Sequence, residues 1–199
     1  MEFTLNRTAK TIGILLLIAA ITQTIYTVLY MSAPEVDRQF LWGLEGLLFV
    51  LLAAFAGSAL AMSRRSSLGF SAIAIYAVLN ILQVGVGLTQ FTPFREAAEA
   101  NAELSGLAFS IFALAFFAYN AAKILLGLAA IVFGLDRLKD GGKILGGATV
   151  LIGAVAFVTN TLVMMFGLEG FLPPPVAGGT GVAATVLLGV CLIGFNRDD

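Results

Sequence analysis

The chain has 199 residues, of which 59% are hydrophobic and 12% charged, and its net charge is −1. A soluble fold could not cover that much apolar surface with polar groups, and the sequence has no basic run that would grip a phosphate backbone, so nucleic acid is not an expected partner. Histidine is absent and Cys191 is the single cysteine, which excludes bis-histidine haem, histidine-built metal centres, histidine-based triads and an internal disulfide; no metal or cofactor is expected.

The first apolar run follows Arg7 and Lys10 much as in a secretory leader, but it continues from residue 11 to residue 31 and reads as a retained spanning helix that carries Gln23. Pro34, Glu35 and Asp37 break it. The second run, 40–62, holds Glu45 and the small residues Ala53, Gly57 and Ala61 at four-residue spacing, and it ends at Arg64 and Arg65. The third, 68–90, carries Asn80 and Gln83, which share a helix face.

Between Phe91 and Ser105, after Thr92 and Pro93, good helix formers are mixed with Glu96, Glu99 and Glu103, which predicts a short separate helix at the membrane interface over about 97–103. The fourth run, 106–135, places Tyr119, Asn120 and Lys123 on one face. The fifth, 144–166, contains Asn160 and opens with Lys143-Ile-Leu-Gly146, which echoes Lys10-Thr-Ile-Gly13 without establishing a repeat. After Pro173–Pro175, the sixth, 176–195, sets Ala177, Gly181, Thr185 and Gly189 four apart, a face for close helix packing.

The expected fold is therefore an all-α bundle of six transmembrane helices occupying residues 1–199 as a single domain. Arg7, Lys10, Arg64, Arg65, Arg137, Lys139, Lys143 and Arg197 fall on one side, against Arg38 and Arg95 on the other. The positive-inside rule then puts both termini in the cytoplasm, and a bacterial-type inner membrane is the expected location. Tyr26, Tyr30, Trp42, Phe91, Phe94 and Phe171 form an aromatic belt at the outer side.

Glu45 and Lys123 are the ionisable residues inside the spans, and an isolated charge at mid-bilayer costs about 3 kcal/mol even on lenient scales. Together with Asn80, Gln83, Tyr119, Asn120 and Asn160 they outline a polar layer in the middle and outer half of the bilayer. Such a layer suits a pocket that binds or passes a small solute or lipophilic ligand, with Lys123 on an anionic or carbonyl group and Glu45 taking a proton or cation. The same residues also suit ordinary hydrogen-bonded glue between helices, as in an accessory or assembly subunit of a larger membrane complex or a homo-oligomer. A lipid-modifying enzyme is the weaker alternative: no Gly-X-Ser-X-Gly elbow or Walker loop is present, and Glu45 would have to act as the acid or base.

Overall fold

The computed structural model describes residues 4–33, 36–167, 170 and 174–196. Expectations resting on Pro34, Glu35, Phe171, Pro173 and Arg197, and on the side chains of Tyr30, Pro174 and Pro175, lie outside the described residues. Among the described residues there is no strand: the elements are α1 (Leu5–Ser32), α2 (Gln39–Met62), α3 (Ser67–Val86), a π turn (Gly87–Phe91), α4 (Thr92–Ala100), a 3-10 turn (Ala102–Leu104), α5 (Ser105–Lys139), α6 (Lys143–Phe166) and α7 (Pro174–Ile193). Six helices are long and apolar enough to cross a membrane.

Local chemistry sets the helix ends. Thr4 Oγ1 accepts from the Arg7 N–H at 3.4 Å, and Asp37 Oδ1 accepts from the Gln39 N–H at 2.9 Å, so each satisfies a donor that the first turn cannot. The tight α5–α6 connection turns at Gly141, whose φ of 86° favours glycine.

The connection between α3 and α5 differs from the expected short, separate helix. The chain runs helically from Ser67 to Ala100, 34 residues, because the π turn carries α3 directly into α4. Pro93 has no N–H to give the preceding turn, and the wider π turn passes it without ending the helix. Helix breaks only at Asn101, where φ is −143° and Oδ1 accepts from the Glu103 N–H at 3.0 Å. With α5 at 35 residues, both arms of this hairpin are about 50 Å long at 1.5 Å per residue, well beyond a hydrocarbon core of about 30 Å.

These six long helices close into a ring in the order α1, α2, α3, α5, α6, α7 and back to α1, with α5 also touching α7 across the interior. The seams are built from glycine. A Cβ on Gly127 of α5 would stand 2.7 Å from the Gly153 carbonyl oxygen of α6, and one on Gly13 of α1 would stand 2.7 Å from that of Gly189 in α7. These backbones touch at distances only glycine permits. On α7, Ala177, Gly181, Thr185 and Gly189 are all buried, so that small-residue face packs within the chain. On α2, by contrast, Gly57 has no neighbour within 4 Å of where its Cβ would be.

One end of the bundle is basic. There Ser66 Oγ donates to Asp136 Oδ2 at 3.3 Å, tying the α2–α3 turn to α5, and Arg137 donates to the Gly194 carbonyl at 3.5 Å, tying α5 to the end of α7. At the opposite end an aromatic stack links α1, α2, the π turn and α5: Tyr26 on Trp42 at 5.4 Å, Trp42 on Phe91 at 5.2 Å and Phe91 on Phe112 at 4.3 Å. Arg38 caps it, 5.5 Å above the Tyr26 ring.

Candidate functional site

Lys123 occupies the interior of the ring and is 0% exposed. Room for its stem comes from α7, where a Cβ on Gly181 would fall 2.8 Å from Lys123 Cδ. Its ammonium donates to Gln23 Oε1 of α1 at 2.8 Å and to Thr185 Oγ1 of α7 at 3.5 Å. Thr185 can accept because its own proton goes to the Gly181 carbonyl at 2.8 Å. Two aromatic faces complete the cage: Nζ lies 5.5 Å from the Tyr76 ring and 5.3 Å from the Tyr119 ring, within cation–π range. An ammonium has three donors, and the third meets no acceptor among the described residues.

Glu45 enters from α2 and is 5% exposed. It makes no direct ion pair with Lys123; among the described residues, the ion pairs within 4 Å are Arg95–Glu99 and Lys139–Asp136. Glu45 lies beside the Thr22 hydroxyl of α1. Glu45 Oε1 is buried without a hydrogen-bond partner. So is the Tyr76 hydroxyl, which sits near Gln23 and Thr185 without bonding to either.

The amides separate into distinct settings. Asn80, Asn120 and Asn160 each donate through Nδ2 to the carbonyl four residues earlier, that of Tyr76, Phe116 and Ala156 respectively. This leaves each carbonyl oxygen directed away from its own helix. Asn80 is fully buried on α3, one turn beyond Tyr76, and its Oδ1 has no partner. Asn160 also donates to the Ala177 carbonyl at 3.2 Å, which clamps α6 to α7, and its Oδ1 too is unmet. Asn120 faces the α5–α6 side and lines a cleft there of about 520 Å³. Gln83 is half-buried toward the rim of α3.

The structure thus gathers Lys123, Tyr119, Glu45 and Asn80 toward the centre and leaves Asn120 and Asn160 on the α5–α6–α7 side. Three further participants are Gln23, Tyr76 and Thr185. Gln23 shares the depth of the polar layer, and Tyr76 stands four residues before Asn80, which puts it on the same face of α3. Thr185 gives no separate signal, because it sits in a row of packing residues.

Inside a bundle that water does not enter freely, an unpaired polar group costs several kcal/mol. Here Glu45 Oε1 and the Tyr76 hydroxyl, both unmet, lie in the interior with Lys123, and Asn80 Oδ1, one turn along α3 from Tyr76, is unmet as well. Chemically, Lys123 presents donors in this region, and Glu45 Oε1 and Asn80 Oδ1 are oxygens without a hydrogen-bond partner. No known protein family, curated protein or solved structure matches the chain.

Proposed function

We propose that this chain is a multi-pass membrane protein, oriented with its basic end in the cytoplasm of a bacterial-type cell, that binds or translocates a small polar solute at Lys123. The observation that carries the reading is the set of unmet hydrogen-bonding groups around one fully buried lysine. Lys123 anchors an anionic or carbonyl group, Tyr76 and Tyr119 hold the ammonium in place, and Glu45 and Asn80 receive the solute's donors.

The test is Lys123→Met, which keeps the length of the stem and removes the charge. Purified protein in nanodiscs, screened by thermal shift against acetate, lactate, phosphate and urea, should show stabilisation by at least one solute in the wild type and none in the variant. At 100 times its dissociation constant a solute stabilises by about 2.7 kcal/mol. A variant that folds and still responds to the same solute overturns the assignment.

A second reading, an accessory subunit or a homo-oligomer, is favoured by one observation on α2. Gly57 is open, and Ala54, Ser58 and Ala61 beside it are exposed, which leaves a small-residue strip on the outer surface of the ring. If that strip is a seam, Gly57→Leu dissociates an oligomer or a partner seen on size-exclusion chromatography; an unchanged elution volume argues against it.

A further inference from the structure

The cleft between α5 and the end of α6 is separate from the Lys123 cage and differs in chemistry. Its volume is about 520 Å³, and its walls include Phe109, Phe116, Phe117, Phe166 and Met164, with Asn120 as the polar side chain. Phe109, Phe117 and Phe166 are each more than half exposed, so the cleft opens sideways on the outer surface of the ring rather than into its interior. Asn120 itself is 3% exposed. One of its amide protons is held by the Phe116 carbonyl at 2.7 Å; the other, and the carbonyl oxygen, meet no group among the described residues. The cleft is therefore apolar and aromatic, with an unpaired donor and acceptor at a buried point.

Depth narrows the ligand. Gly127 of α5 packs against Gly153 and Phe157 of α6, so antiparallel register brings Phe166, the last residue of α6, level with about residue 115 of α5. Asn120 then lies about 8 Å further in, at 1.5 Å per residue. With the helices spanning a bilayer, as proposed above, that point is inside the hydrocarbon. Phospholipid ester groups remain at the boundary, and an acyl tail has nothing to offer an amide. A ligand that satisfies Asn120 must be uncharged, must dissolve in hydrocarbon, and must carry a carbonyl or hydroxyl of its own; a lining rich in phenylalanine suits a ring.

We infer that this cleft binds the ring of a lipid-soluble quinone or quinol, its tail running out along α5 and α6. The free Asn120 N–H donates to a quinone carbonyl, and Oδ1 accepts from a quinol hydroxyl, so either form is held without a change of rotamer. The inference rests on the membrane placement but not on solute binding at Lys123.

The test is native mass spectrometry of the full chain in detergent micelles titrated with ubiquinone-2. One retained quinone per chain is expected, with about tenfold weaker retention in Asn120→Leu, the loss of roughly one hydrogen bond. Phe117→Ala, at a position 56% exposed, should also weaken retention without touching the core, and Val78→Ala, 48% exposed on α3, should not. No retained quinone, equal retention in Asn120→Leu and Phe117→Ala, or full displacement by an equal concentration of phosphatidylethanolamine overturns the inference. Because the readout is the mass of the quinone itself, a negative result here is distinct from a failure of solute binding, which is read by thermal shift.

Discussion

Gly181 holds open the space that Lys123 fills. A Cβ there would meet Lys123 Cδ, Cγ and Cε at 2.8, 3.1 and 3.2 Å, so Gly181→Val must push the lysine stem toward Tyr76 and Tyr119. Overpacking of this kind costs about 1–3 kcal/mol. The expected outcome is a folded protein with a modestly lower melting temperature and no response to the solute that stabilises the wild type. A variant that binds normally would show that the position of the ammonium is not what matters. Lys123, Glu45 and Asn80 were legible from sequence because ionisable and amide groups are conspicuous in an apolar span. The partners that fix the ammonium were less so: a threonine in a helix usually bonds its own backbone, and Thr185 does so while also accepting from Lys123. Which side chains meet across the ring depends on helix order, and span composition does not carry that order. Glu45 and Lys123 stand on helices that are not ring neighbours, which is why they face each other without pairing.

At the scale of the elements, the hydrophobic runs gave the helices and their approximate ends, since runs of about 20 apolar residues leave few alternatives. What they did not give was continuity beyond the apolar limit. α5 extends to Lys139, and α3 passes through a π turn into α4, because polar residues continue a helix as readily as apolar ones once it is nucleated. The glycines separate into seam and surface in a way that spacing cannot decide. Gly127 would place a Cβ 2.7 Å from the Gly153 oxygen and 2.9 Å from the Phe157 nitrogen, atoms that cannot move aside, whereas Gly57 meets nothing. Gly127→Val should therefore destabilise the α5–α6 seam by more than about 3 kcal/mol, and Gly57→Val should leave the single chain's stability nearly unchanged. Thermal unfolding of the two variants in the same detergent checks the contrast; comparable losses would mean that the seam is not where the structure puts it.

The whole molecule is polarised by charge, and this makes its orientation testable. Arg64 and Arg65, in the α2–α3 turn, lie at the same end as Asp136, Arg137 and Lys139, as the Ser66–Asp136 hydrogen bond requires. Glu96, Glu99 and Glu103 lie at the far end, on the hairpin that outruns a 30 Å core. The Arg95–Glu99 pair there is 62% and 70% exposed, so it adds little stability. Lysine and arginine are retained on the cytoplasmic face during insertion, so the basic end should be inside. Cys191 is buried against Thr149, and replacing it by alanine gives a background without thiols. In that background Glu99→Cys should react with a membrane-impermeant maleimide in intact cells, and Arg64→Cys only after the membrane is opened. Labelling in the reverse order would invert the bundle. Equal labelling of both in intact cells would mean that the chain does not separate its two ends across a membrane and that Asn120 does not lie within hydrocarbon.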